Sequence, residues 1–282
     1  MRLVAVLAGM EQGGLRPVFS GGTSLSKAYG LIQRFSEDLD FKFVLPGDDI
    51  GRAGRRRYRD HVIETIQAVG DWGIEGDIQS RNESRFFSIS LSYPASFSFA
   101  AALRPHIKLD INLLQPALPP EERPLRSFVA EARGDDPEVP AILCVLPAET
   151  AADKFSALSR HILTRRRDAE GDDATFIRHL HDLAALETLA SEHPGFPDLL
   201  RRLLTDEAAR GGVSPEIAAL DPADRLATAL AAMAADPDYP REYERFVLGM
   251  SYAAEGEAPA FAPALEAARR LSALIDPAPP AR

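Results

Sequence analysis

Apolar and polar residues alternate through much of the first half of the chain, and apolar residues recur at helical spacing through most of the second. Leu3, Val4, Leu7 and Met10 fit the end of a helix, which Gly13-Gly14 breaks. Pro17 to Ser20 reads as a short strand. Leu25, Ala28, Tyr29 and Ile32 share one face of a helix over Ser24 to Gln33. Leu39, Phe41 and Phe43 then alternate with Asp38, Asp40 and Lys42, the pattern of a half-buried strand that Pro46-Gly47-Asp48-Asp49 ends. Tyr58, Val62, Ile66 and Val69 predict the next helix. Two further strands follow. Phe87, Ile89, Leu91 and Tyr93 alternate with serines, and Ile107, Leu109, Ile111 and Leu113 alternate with His106, Lys108, Asp110 and Asn112. Gln115 to Pro124 and Asp135 to Pro140 read as loops. After Pro147 the pattern is helical, with helices over Thr150 to His161, Asp173 to Ser191, Leu199 to Arg210, Pro222 to Ala235 and Ala262 to Leu274. Pro277 to Arg282 reads as a frayed tail. The expected organisation is α+β: a mixed sheet with helices over residues 1–146, then a helical domain over 147–282.

Composition narrows the class. The chain has 282 residues, 45% hydrophobic and 26% charged, which suits a soluble globular protein with ample core. No apolar run is long enough to span a membrane, and a cytoplasmic location is expected. Cys144 is the only cysteine, so no internal disulfide forms, and it reads as a small core residue. The net charge of −10 argues against a broad nucleic-acid-coating surface. Two basic clusters stand against that balance: Arg55, Arg56, Arg57 and Arg59, and Arg165, Arg166 and Arg167. Each is either a solvated face or a patch that holds a polyanion backbone.

The candidate chemistry begins at Ser20-Gly21-Gly22-Thr23. Glycines let backbone N–H groups come close to a phosphate. Asp38 and Asp40 share one strand face, because side chains alternate with period two, and two carboxylates together offer hard oxygens to Mg²⁺. If the 107–113 strand turns its aliphatic face inward, Asp110 joins them, either as a metal ligand or as the acceptor of a proton from an attacking hydroxyl. A phosphate cradle beside metal-binding carboxylates is equipment for moving a nucleotidyl group. Further along, Lys154 is either an ordinary exposed lysine or a point charge on a triphosphate. Asp182 is either a surface carboxylate or a partner that orders Lys154 or a ligand hydroxyl. His179 and His181 lack the i, i+4 spacing of a helical metal pair and read as partly exposed.

The blocks Gly21-Gly22-Thr23-x-Leu25-x-Lys27, Arg34-x-Ser36-x-Asp38-Leu39-Asp40-Phe41, Lys108-x-Asp110-Ile111, Lys154-x-x-Ala157-Leu158-x-x-Arg160 and Asp182-Leu183 together resemble the AbiEii/AbiGii nucleotidyltransferase toxin family, which includes the MenT-type toxins. The resemblance covers roughly residues 15–190. It implies a DNA-polymerase-β-like nucleotidyltransferase core followed by a helical C-terminal part. It implies Mg²⁺-dependent transfer from a nucleoside triphosphate, an RNA acceptor that in relatives is the 3′ end of tRNA, a block of translation, and a cognate antitoxin, in toxin–antitoxin or phage-defence systems. It also implies roles: Gly21, Gly22, Thr23, Lys27, Arg34, Ser36 and Lys154 at the nucleotide, Asp38, Asp40 and Asp110 at metal, and Asp182 in support. Transfer to a small molecule or to a protein, or nucleotide binding without turnover, are the competing readings. The arginine clusters bear on the acceptor, and the intact carboxylate set counts against loss of turnover.

Overall fold

The structure, a computed structural model, describes residues 1–11, 13–47, 49–94, 106–167, 169–170, 172–209 and 213–275. Asp48 of the expected turn, Arg210 at the expected helix end and the Pro277 to Arg282 tail lie outside the described residues. The chain forms two compact units. One comprises Met1–Gly30 and Phe35–Leu146, the other Leu31–Arg34 and Pro147–Arg282.

The first unit contains helices α1 (Arg2–Ala8), α2 (Gly21–Lys27), α3 (Gly51–Val69) and α4 (Phe128–Arg133). Its strands are β1 (Arg16–Ser20), β2 (Asp38–Val44), β3 (Gly73–Arg81), β4 (Phe86–Ser92), β5 (His106–Asn112), β6 (Glu121–Leu125) and β7 (Val139–Cys144). They build one mixed sheet of order β3-β4-β5-β2-β1-β7-β6. β2 lies antiparallel to β1 and parallel to β5, with Asp38 opposite Lys108 and Asp40 opposite Asp110. β4 runs antiparallel to β5 and places Ser88 opposite Asp110. Period two therefore sorts these strands into two faces. Phe41, Phe43, Phe87, Ile89, Leu91, Leu109 and Ile111 are buried on one, in a core shared with Leu3, Val4 and Leu7 of α1 and Tyr58, Val62 and Ile66 of α3. Phe43 and Tyr58 meet edge to face with centroids 5.0 Å apart, a geometry that adds to plain area burial. Asp38, Asp40, Lys108, Asp110 and Ser88 occupy the other face.

Several expected elements differ. The Ser24 to Gln33 helix is observed as the shorter α2, starting at Gly21 and ending at Lys27. Gly30, at φ +64°, turns the chain in a conformation that only glycine adopts without strain. Leu31–Arg34 then belongs to the second unit, where Arg34 bridges Ser251 and the Gln33 carbonyl accepts from the Tyr252 N–H. The first expected loop holds most of β6, and the second holds the first two residues of β7. β6 is an edge strand, where Pro124 costs no ladder bond. β3 and α4 were not anticipated by periodicity. Cys144 is fully buried as expected, and burial pushes its thiol up to about 12.

The second unit is helical: α5 (Pro147–Thr164), α6 (Arg178–Glu192), α7 (Phe196–Ala209), α8 (Pro215–Ala218), α9 (Pro222–Ala235), α10 (Asp238–Phe246) and α11 (Phe261–Ser272). α5 buries Ala151, Ala152, Phe155, Leu158 and Ile162 and packs on α6, α7 and α9. α9 starts at the residue its sequence signals. The Asp221 carboxylate accepts from the Ala223 N–H, and Pro222 occupies the first turn, where a missing N–H costs nothing. Glu207 on α7 joins three helices by accepting from Ser156 (2.8 Å), Arg160 (2.9 Å) and the buried Arg225. No helix among the described residues is long and apolar enough to cross a membrane.

Candidate active site

The Gly-Gly turn and the acidic strand interlock. Gly21 has φ +72°, and a Cβ there would collide with the Asp40 carboxylate. Thr23 Oγ1 donates to the Asp38 carbonyl at 2.6 Å. Asp40 therefore lies over Gly21, and the Thr23 hydroxyl, expected at the phosphates, ties α2 to the start of β2. Gly21→Ala strains the turn and displaces Asp40 together. We expect that variant to lose nucleotide transfer with its far-ultraviolet circular dichroism little changed. Wild-type turnover in Gly21→Ala would show that the close approach is incidental.

Asp38 and Asp40 are half-buried on one face of β2, and Asp110 stands beside Asp40 on β5. Asp110 is engaged by its neighbours: Ser88 Oγ donates to it at 2.5 Å and Lys108 Nζ at 2.8 Å. Burial pulls the Lys108 ammonium down, but Asp110, by charge and hydrogen bond, and the charges of Asp38 and Asp40 hold it above its ordinary value. Among the described residues no group of three or more His, Cys, Asp or Glu side chains is gathered to hold a metal ion. Two carboxylates on one face still fit Mg²⁺, which takes one or two protein carboxylates and completes its shell with water and phosphate oxygens.

The second unit holds a buried charge cluster. Asp182 is fully buried and receives Arg34 Nε at 2.8 Å, Arg34 Nη2 at 2.5 Å and Lys154 Nζ at 2.6 Å. His181 Nδ1 lies 3.3 Å from the same carboxylate. Burial alone would raise Asp182, but the charges of Arg34 and Lys154 hold it well below the usual carboxylate range. The exposed-lysine reading of Lys154 and the surface reading of Asp182 are thus corrected. His181, expected partly exposed, is buried with them, while His179 is half-buried.

The remaining candidates have local partners. Lys27 sits 3.0 Å above the centre of the Phe128 ring, with Glu131 at 3.4 Å, so a cation–π contact and an ion pair hold it. Ser36 lines a cavity next to β2. Arg55 is buried and clamps Asp49 and Glu83; Arg59 pairs with Asp60. Arg165 holds Asp172 and Glu242, and Arg167 holds Asp236 and Glu242. These ion pairs account for four of the seven arginines as structural groups, and Arg56, Arg57 and Arg166 are exposed.

Sequence spacing gave no role to His161. Its ring stacks on Phe176 with centroids 5.1 Å apart and planes 7° apart. Burial, then the Arg160 charge, lowers its pKa to about 4 from the ordinary 6.5. The unfolded chain thus binds the extra proton first, so stability is complete above about pH 6.5 and falls as pH drops toward 4. His161→Gln should flatten part of that fall, read from urea midpoints at pH 7 and 4.5. An unchanged pH slope would show that His161 stays neutral for no thermodynamic reason of its own.

A mixed sheet carrying paired carboxylates behind a glycine turn, followed by helices, is the layout of a nucleotidyltransferase. Residues 6–268 match the family described as nucleotidyl transferase AbiEii toxin, type IV toxin–antitoxin system. The chain belongs to that family. Its fold is similar to that of MenT4, a nucleotidyltransferase toxin from Mycobacterium tuberculosis H37Rv, with TM-score 0.51, 19% identity, and 97% of this chain and 90% of that chain covered. No curated protein matches the chain. The family makes this a nucleotidyltransferase toxin, and implies a nucleoside triphosphate substrate and a cognate antitoxin.

Proposed function

We propose that this toxin transfers a nucleotide, in a Mg²⁺-dependent reaction, to an RNA acceptor, the 3′ end of tRNA, and so blocks translation. The observation that carries the reading is that Asp38 and Asp40 share one face of β2, with Asp40 directly over the Gly21 turn. Bound Mg²⁺ supplies charge neutralisation on the triphosphate. Asp38 and Asp40 would hold it, and the absent Cβ of Gly21 leaves room for the Asp40 carboxylate. Asp110, set beside Asp40 and oriented by Ser88 and Lys108, accepts the proton of the attacking hydroxyl. Lys154, which pairs with Asp182 alongside Arg34, is the point charge proposed for the nucleotide's phosphates. The site lies in the cytoplasm, where tRNA is available.

The test is incubation of purified protein with total tRNA, Mg²⁺ and each labelled triphosphate in turn. Label on tRNA in one of the four reactions, abolished by chelation, is the expected result. No labelling of any RNA would refute the acceptor. Small-molecule transfer is the second reading, favoured by the neutralisation of Arg55, Arg165 and Arg167 in ion pairs. Exchanging the exposed Arg56, Arg57 and Arg166 for glutamine tests the RNA contacts. RNA transfer should weaken and its salt dependence flatten, with triphosphate affinity unchanged. Full transfer to RNA in that variant would make these arginines solvated faces with no part in holding the acceptor.

A further inference from the structure

A cavity of about 400 Å³ lies in the first unit beside the start of β2. Phe35, Trp72 and Tyr93 give it aromatic walls, and Ser36, Glu37 and His106 border them. Such a volume falls in the range that holds a small ring system, and apolar walls with a few polar groups are what ligand pockets present. Leu39 also lines it, while the side chains next to Leu39 in sequence, Asp38 and Asp40, point to the opposite face of the same strand. Phe35, Ser36 and Glu37 are the three residues that lead into Asp38. The cavity and the carboxylates thus share one short piece of chain. Phe35 is 41% exposed, although its ring meets that of Phe128 edge to face at a centroid distance of 5.8 Å.

We propose that this cavity takes an unpaired nucleobase of the acceptor strand. Every base has a π face, so three aromatic side chains offer stacking that tolerates sequence, and the hydroxyl, carboxylate and imidazole at the border offer hydrogen bonds to a base edge. Met1 and Arg2 line the cavity as well as Glu37, so charge does not choose the ligand; the three aromatic walls assign the cavity to a base rather than to the triphosphate. The triphosphate's expected cradle at Gly21 lies against Asp40, on the other face of β2. A single nucleotide would have to straddle the strand to fill both places. An acceptor strand has bases to spare on either side of its reactive end. The inference rests on the nucleotidyl-transfer reading for the source of the base, and not for the binding itself.

Trp72 is the only tryptophan of the chain, so its emission reports on the cavity directly. A short single-stranded oligoribonucleotide, titrated without Mg²⁺ or triphosphate, should quench Trp72 saturably. The same sugar–phosphate chain without bases should not. Tyr93→Ala should weaken binding about tenfold or more, while Tyr93→Phe keeps it. Thermal unfolding of both variants checks that the fold survives. Unchanged Trp72 emission, equal quenching by the base-free chain, or quenching by free triphosphate alone would overturn the proposal. Because no turnover is read, the two readings fail separately. Quenching without transfer to any RNA would leave the cavity assignment standing and remove the transferase acceptor. Transfer without quenching would do the reverse.

Discussion

Asp40→Asn is expected to reduce nucleotide transfer by about 10³-fold and to end growth inhibition, while the protein stays folded. Asparagine keeps the shape that lies over Gly21 and removes only the charge, so the turn keeps its packing. The fold has little reason to suffer. Asp40 is half-buried on the polar face of β2, and loss of its charge relieves repulsion from Asp38 while giving up attraction to Lys108, so the two changes oppose each other. A stability change within about 0.5 kcal/mol is expected, as for substitutions outside the core. Transfer suffers because a neutral amide oxygen binds Mg²⁺ far more weakly than a carboxylate. Transfer assays on the purified variant, paired with its urea midpoint, decide the matter. Wild-type turnover in Asp40→Asn would remove the carboxylate pair from the reaction. A large stability loss would make Asp40 a structural partner of the turn.

The sequence made some of this plain and concealed the rest for identifiable reasons. β2, β4 and β5 are legible because one face of each is in the core and the other is not, so hydrophobicity alternates without interruption. Asp38, Asp40 and Asp110 fall on one face for the same reason. β3 is illegible because it is an edge strand exposed over most of its length, with a register shift between Glu75 and Gln79 that breaks period two. The helical pattern overruns the end of α2 because Leu25, Ala28, Tyr29 and Ile32 mimic a helical face. Ile32 is buried in the other unit, after the Gly30 turn. The meeting of Arg34 with Asp182 spans 148 residues, and no local pattern encodes it. Motif resemblance put both residues in one site, but only the fold shows that one neutralises the other.

That buried cluster gives the largest expected effect on stability. Asp182→Ala leaves the Arg34 guanidinium and the Lys154 ammonium buried without their shared counter-charge, and a loss of about 3–5 kcal/mol is expected. The wild type should also lose this contribution in acid. A depressed carboxylate stabilises fully above the unfolded value of about 3.9 and progressively less as pH falls below it, so Asp182→Ala should lack that part of the acid slope. Lys154→Met separates fold from function. Two cations share one carboxylate, and removing Lys154 leaves Asp182 with the two-pronged Arg34 contact at 2.8 and 2.5 Å. Methionine fills the space of the lysine stem, so the cost in stability should be small beside that of Asp182→Ala. Triphosphate affinity and transfer should nevertheless fall, and Lys154→Arg should restore them only in part, because a planar fork does not replace a point charge. Urea midpoints and triphosphate binding, measured on the same three variants, give the order of effects. If Lys154→Met unfolds the protein as Asp182→Ala does, while the folded fraction binds triphosphate normally, then Lys154 is there to hold Asp182, and the cation for the phosphates must be sought elsewhere.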